Sequence, residues 1–260
     1  MMKDLQVGDK VLTVSNDFQP VYSFGQHDDS IKAMFFQIFT SSTDSRKKNH
    51  RPLEMTGDHL IVSHNGKTMR ADELNVGDLV MHGGVASNHS SVKVTKITKT
   101  TKTGLYMPLT PDGTIVVDGL VASNYVSIQD NAPGTFQAMD YLPFMTQERM
   151  LHWWLSPFRM LCMGVSSSFC SNDANTNEEG ILNWLVLGEN MAKFADGFSV
   201  WFQLIVMGLP LVVVFGFFNL AEWLLMGPRF APTIMFVLMF AGPVLYSKFS
   251  WIQAGKPKKE

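Results

Sequence analysis

The segment Leu5-Gln6-Val7-Gly8-Asp9-Lys10-Val11 returns further along the chain as Leu74-Asn75-Val76-Gly77-Asp78-Leu79-Val80. A Gly-Asp pair between apolar residues makes a tight turn that feeds a strand. Glycine supplies the positive φ, and the aspartate side chain bonds nearby backbone amides. Two copies of one strand entry imply two similar halves. The rest of the first half fits this. The segments 10–14, 20–24, 34–40, 60–63, 91–98 and 114–117 are short runs of β-branched and aromatic residues, with Asn65-Gly66 and Asp118-Gly119 as turns between them. The run from Ser41 to Arg51 has no apolar residue and reads as a solvated hairpin loop. No helical period appears, so this part is expected to be all-β.

Past Asn131 the composition changes. The chain as a whole balances 21 Lys and Arg against 23 Asp and Glu, which excludes the basic footprint of a nucleic-acid binder. Charged and turn-forming residues dominate the first part, whereas the last third is apolar and rich in Phe, Met and Trp. Helices are expected over 147–163 and 181–198. Two uncharged runs follow at 199–220 and 230–247. As helices they would reach about 33 and 27 Å, enough for a hydrocarbon core of about 30 Å. Glu222, Pro228 and Arg229 separate the two runs. The expected organisation is a β domain over 1–130, a linker with amphipathic helices over 131–198, two membrane segments within 199–247 and a basic tail over 248–260.

Between the two Gly-Asp turns lies Met55-Thr56-Gly57-Asp58-His59-Leu60-Ile61-Val62, and after the second comes the long run from Gly104 to Tyr125, with Pro108-Leu109-Thr110-Pro111-Asp112-Gly113 at its centre. Together these resemble the Hint module, the self-cleaving domain shared by inteins and the C-terminal half of hedgehog proteins. The closing run resembles the hedgehog branch in particular. So does His152-Trp153-Trp154-Leu155-Ser156-Pro157-Phe158-Arg159, similar to the segment that follows the hedgehog core and engages the sterol. The resemblance implies the Hint fold, and a reaction in which a thiol attacks a backbone carbonyl and turns an amide into a thioester. It implies no cofactor and no metal.

The amide nitrogen is a poor leaving group and must gain a proton as its bond breaks. His59 matches the family histidine suited to that task, and general acid catalysis of this kind contributes about 10²–10⁴ in rate. Thr56 matches the threonine that polarises the same peptide. Gly57 and Asp58 would form the turn that brings the two side chains together. The hedgehog branch also uses a carboxylate to activate the sterol hydroxyl that resolves the thioester. Asp28 is the candidate, with Asp29 next to it, although a stricter register puts Gln26 at that position. His27 lacks partners at metal-ligand spacing.

The nucleophile is missing. The resemblance places it on a strand roughly 15 to 25 residues before Val7-Gly8-Asp9, yet the chain opens Met1-Met2-Lys3-Asp4, without a secretory signal, and is expected to lack that first strand. Cys162 and Cys170 lie downstream of the core. They fit a loop-closing disulfide or two inert thiols equally well. Asn124 stands where hedgehog proteins carry cysteine, and no Cys, Ser or Thr follows it as a splicing acceptor.

Two functions follow. One is a membrane-anchored autoprocessing domain whose substrate is its own upstream segment and whose acceptor is a sterol, another hydroxyl or water. The other is a catalytically silent Hint relic serving as a tethered binding module. The basic tail (Lys256, Lys258, Lys259) and the sequon Asn88-His89-Ser90 are consistent with an integral membrane protein of the secretory pathway.

Overall fold

The computed structural model describes residues 2–41, 51–84, 90–127, 146–164, 170, 175–203 and 209–226. Its first part is built of antiparallel strands. A two-stranded ribbon pairs β1 (Lys10–Leu12) with β2 (Phe18–Pro20). The main sheet contains β3 (Ser23–Thr40), β4 (Leu53–Thr56), β5 (His59–Val62), β6 (Thr68–Arg70), β7 (Leu79–His82), β8 (Ser90–Leu109), β9 (Thr114–Val117) and β10 (Leu120–Val126). Their spatial order is β4-β3-β8-β7-β10-β5-β6, with β9 paired to β10.

The sequence repeat is a structural repeat, bond for bond. Asp9 Oδ2 accepts from the Gln6 amide at 2.9 Å, and Asp78 Oδ2 accepts from the Asn75 amide at 2.8 Å. The Gly8 amide donates to Val21 O and the Val21 amide returns to Asp9 O, while Gly77, Val94 and Asp78 close the same pair of bonds in the second copy. Gly8 (φ 97°) and Gly77 (φ 111°) occupy a backbone region that side chains disfavour. Each turn leads into a short strand, β1 or β7, and is tied through Val21 or Val94 to the long strands β3 and β8. These run antiparallel to each other from Ser23↔Leu109 to Thr40↔Val94, with three register shifts. The bent ribbon is much longer than the short strands read from the sequence. Its charged, exposed stretch at Asp28–Lys32 conceals that the strand resumes beyond it.

One apolar core, including Phe36, Ile38, Met55, Ile61 and Val80, lies within the β part. A second joins Tyr22, Leu109 and Tyr125 to Leu155, Phe158 and Leu182. The helices are therefore a packed layer. α1 (Gln147–Trp154) is capped by the Thr146 hydroxyl on the Arg149 amide, and α2 (Ser156–Gly164) follows after Leu155. α3 (Asn183–Asp196) fits the helix expected over 181–198. The segment before it adds to the edge of β3, with Leu182 N donating to Gly25 O and His27 N donating to Gly180 O. Cys162 and Cys170 form a disulfide.

The C-terminal expectation needs correction. Among the described residues no helix is long and apolar enough to cross a membrane, so a span over 199–220 finds no support there. The run contains a single helical turn at Val200–Phe202 and then α4 (Leu209–Met226), which continues past residue 220 and packs on α2. Glu222 does not break a helix. It lies inside α4, fully buried, and its two carboxylate oxygens take the Nε and Nη2 donors of the equally buried Arg159. Asn219, one turn earlier, donates to Ser156 Oγ at 2.9 Å. The opposite side of α4 leaves Val213, Phe217 and Leu224 exposed. Residues 230–247, the tail and Asn88 lie outside the described residues.

Candidate active site

Thr56 closes β4 and His59 opens β5, so Gly57 and Asp58 form the expected turn between them. The turn is pinned by Asp72 N to Gly57 O at 2.9 Å, Ala71 N to His59 O at 2.9 Å and Ser127 N to Asp58 O at 2.7 Å. Thr56 and His59 both line one cavity of about 1380 Å³ between the sheet and the helical layer. Trp153, Trp154, Leu185 and Phe215 supply apolar wall. Trp154 and Trp184 clamp α1 to α3, each indole N–H donating to the other's backbone carbonyl at 2.9 and 2.8 Å.

His59 Nε2 lies 3.0 Å from Ser123 O. A carbonyl only accepts, so Nε2 carries the hydrogen and the neutral ring has its lone pair on Nδ1. Ser123 presents its carbonyl because β10 is irregular against β5 between Ala122 and Val126. Such an irregularity re-aims groups beside a site. Burial lowers the His59 pKa below the ordinary imidazole value, with the Ser123 carbonyl and the Asp58 charge opposing. The ring is thus neutral at pH 7, ready to accept a proton at Nδ1 and return it.

The acidic candidates are placed elsewhere. Asp28 does not line the cavity. Its Oδ1 accepts from Ser30 N (2.6 Å), Ser30 Oγ (2.7 Å) and Ile31 N (3.1 Å), which form a turn where β3 bulges. The Ser30 hydroxyl and amide hold its pKa below the usual carboxylate value, making it a weaker base. Asp29 accepts the Tyr106 hydroxyl at 2.5 Å. Gln26, from the stricter register, does line the cavity. His27 stacks edge-on with Phe24 and Tyr106. Among the described residues no group of His, Cys, Asp and Glu side chains could hold a metal.

Sequence reasoning missed a polar cluster behind the site. The Tyr125 hydroxyl lies 2.8 Å from His152 Nδ1, and Arg159 Nη1 donates to His152 O at 3.2 Å. Burial, then the Arg159 charge, holds the His152 pKa well below the imidazole value. The one available signal was Glu222, a lone charge in an otherwise apolar run that required a buried cation.

A family model described as the Hint module matches residues 1–193. The chain belongs to the Hint module family. Hint-family relatives include Sonic hedgehog protein of Xenopus laevis, 31% identical over 143 residues, which are 50% of this chain and 30% of that protein. Warthog protein 6 of Caenorhabditis elegans is 35% identical over 133 residues, 47% of this chain and 21% of its own length. Tiggy-winkle hedgehog protein of Danio rerio is 26% identical over 193 residues, covering 69% and 41%. The chain spans less than half the length of these relatives. Among solved structures it is similar to the gp41-1 intein, with a TM-score of 0.37 at 15% identity over 47% of this chain and 84% of that one.

Proposed function

We propose that this chain is the autoprocessing module of a longer protein, and that His59 and Thr56 carry its peptide-bond chemistry. A cysteine thiol attacks the preceding carbonyl carbon. Its proton passes to His59 Nδ1, the C–S bond forms, and the C–N bond breaks as the imidazolium returns the proton to the departing nitrogen. Thr56 polarises the same peptide. A hydroxyl or water then attacks the thioester, releasing the upstream segment and regenerating the thiol. The observation that carries this reading is the pairing of Thr56 and His59 across one turn at the cavity, with His59 fixed in one tautomer by Ser123.

The thiol is not one of this chain's own, because Cys162 and Cys170 are bonded to each other. The reading takes it from a cysteine outside these 260 residues. The acceptor enters the apolar cavity, which makes a sterol or another lipid alcohol the favoured class. With Asp28 and Asp29 engaged elsewhere, neither is proposed as the group that receives the acceptor's proton. The disulfide fits an oxidising compartment of the secretory pathway. The exposed apolar side chains Phe194, Trp201, Val213, Phe217 and Leu224 support membrane attachment through the helical layer. Co-sedimentation with phospholipid vesicles that Trp201→Glu and Phe217→Glu together abolish would support it.

The alternative, a silent Hint-fold binding module, is favoured by one observation. Cys162 and Cys170 are bonded to each other, so neither is a free thiol. A reporter followed by a cysteine and an apolar strand, fused before Met1, separates the two readings. The autoprocessing reading predicts release of the reporter by added thiol, and the silent module predicts an intact fusion.

A further inference from the structure

The Ser123 carbonyl that fixes His59 lies where β10 is least supported by β5. Ala122 pairs with Ile61 and Val126 with His59, so Ser123, Asn124 and Tyr125 stand opposite Leu60 alone. The ladder is disrupted across such a stretch, and other bonds must aim the carbonyl. Ser123 C=O and Asn124 N–H belong to one peptide plane, in which the two groups point in opposite directions. The Asn124 amide donates to Gly113 O at 2.8 Å, which turns Ser123 O towards His59 Nε2 at 3.0 Å. The Asn124 side chain adds a second bond to the same turn, Nδ2 donating to Thr110 Oγ1 at 2.8 Å. Amide oxygen and nitrogen are readily interchanged, so the partner must decide which atom faces Thr110. The Thr110 hydroxyl gives its single proton to Thr114 O at 2.8 Å and can only accept from Asn124, so that atom is the nitrogen. Thr110 and Asn124 are 0% and 1% exposed, and water does not compete for these bonds. The turn is itself anchored. Gly113 N donates to Thr110 O at 3.0 Å, and Asp112 takes the hydroxyls of Thr13 and Ser15 from the connection between β1 and β2.

We infer that Asn124 is the positioning residue of His59. Bonded to the Thr110 hydroxyl, it locks the Ser123–Asn124 peptide so that the Ser123 carbonyl holds the ring proton on Nε2 and Nδ1 stays the base. This rests on the reading above that His59 moves the proton, and it adds a residue that acts through another group and not on the scissile peptide. Without the Thr110–Asn124 bond, one of the two bonds from Asn124 to the turn is gone and the peptide plane is free to rock. The ring then loses its fixed partner, and part of the population carries its proton on Nδ1, where it cannot take the thiol proton. A cysteine, which hedgehog proteins carry at this position, offers Thr110 only a weak S–H donor, so the arrangement is a property of this chain.

The test uses the full 260-residue chain, alone and in the reporter–cysteine–strand fusion. Thr110→Val removes the hydroxyl at nearly constant shape, Thr110→Ser keeps it, and Asn124→Leu removes the donor. In the chain alone, histidine labelled with NMR-active nitrogen reports the ring at neutral pH, and His59→Ala identifies the His59 signals. The two ring nitrogens of the parent should resonate far apart, as a single neutral tautomer requires. Thr110→Val and Asn124→Leu should draw them together, and Thr110→Ser should restore the parent separation. In the fusion, Thr110→Val and Asn124→Leu should each slow thiol-induced cleavage about 10-fold, the loss of one hydrogen bond, and the double variant should be no slower than either. In a His59→Ala background neither should slow it further, which a general loss of stability would not give. Thermal melting of each variant checks the fold, and the Thr110 pair stands alone if Asn124→Leu does not fold. The inference is overturned if the His59 nitrogens keep their separation in Thr110→Val, or if the losses in cleavage add to that of His59→Ala. The nitrogen signals are read without cleavage. A chain whose His59 signals respond but which never cleaves retains the positioning and loses the catalytic reading, and one whose cleavage needs His59 but ignores Thr110→Val loses this inference alone.

Discussion

Replacing Glu222 by Gln should cut the helical layer loose. Arg159 and Glu222 are both 0% exposed and meet through two donors of one guanidinium. The substitution keeps the shape and removes the charge, leaving a buried guanidinium without its carboxylate partner while the His152 carbonyl and ring nitrogen stay near Nη1. Breaking a buried pair from one side typically costs about 3–5 kcal/mol, because the surviving charge is uncompensated. Near Tm, a kcal/mol shifts the midpoint of a domain this size by about 2–4 °C, so Glu222→Gln should melt about 10 °C lower. Replacing both partners, Arg159→Met with Glu222→Leu, removes the desolvated charges together and should recover most of that loss. Thermal unfolding of the four members of this cycle gives the coupling. Amide exchange should locate the weakening in α4 and α2 and spare β5 and β10. A single variant as stable as the parent, or a double variant as unstable as the single, would refute the argument that an unpaired buried charge sets the cost.

Acidification should destabilise the fold, because burial depresses both His59 and His152. The unfolded imidazoles take up protons near pH 6.5 and the folded ones do not. The stability these groups contribute is therefore fully present above about pH 6.5 and lost as pH falls towards their folded values, at up to about 1.4 kcal/mol per pH unit for each. Glu148, raised to about 7 by burial, acts in the opposite sense, its contribution being lost as pH rises. With two histidines against one glutamate, the urea midpoint should fall between pH 6.5 and 5, and a flat or rising midpoint would contradict the histidine burial. Gly8→Ala and Gly77→Ala should each cost about 1–2 kcal/mol for backbone conformation alone. A Cβ at Gly8 meets nothing and one at Gly77 only the Lys93 side chain at 3.8 Å. Denaturant titration should give near-equal losses, and a clear inequality would show that the two turns are not equivalent.

What was legible in the sequence was local and repeated. The Gly-Asp turns, the Thr56–His59 turn and the β9 strand over Thr114–Val117 depend on neighbours in sequence, and each forms where the residues require it. The missed features depend on contacts between distant segments. Asp28 stood as the base because the hedgehog resemblance calls for a carboxylate in that segment. Only the backbone turn shows that Ser30 and Ile31 occupy its lone pair. Glu222 looked like the end of an apolar helix because its partner lies in α2, 63 positions away.

The central claim is that His59 moves the proton that lets the amide nitrogen leave. The direct measurement is the rate of thiol-induced cleavage in a fusion that places a reporter, a cysteine and an apolar strand before Met1, compared between the parent and His59→Ala. The released reporter should carry the added thiol as a thioester at its C-terminus by mass, and His59→Ala should slow its release by at least about 100-fold, the loss of general acid catalysis. Equal rates in the two fusions, with the His59→Ala fold intact, would contradict the account.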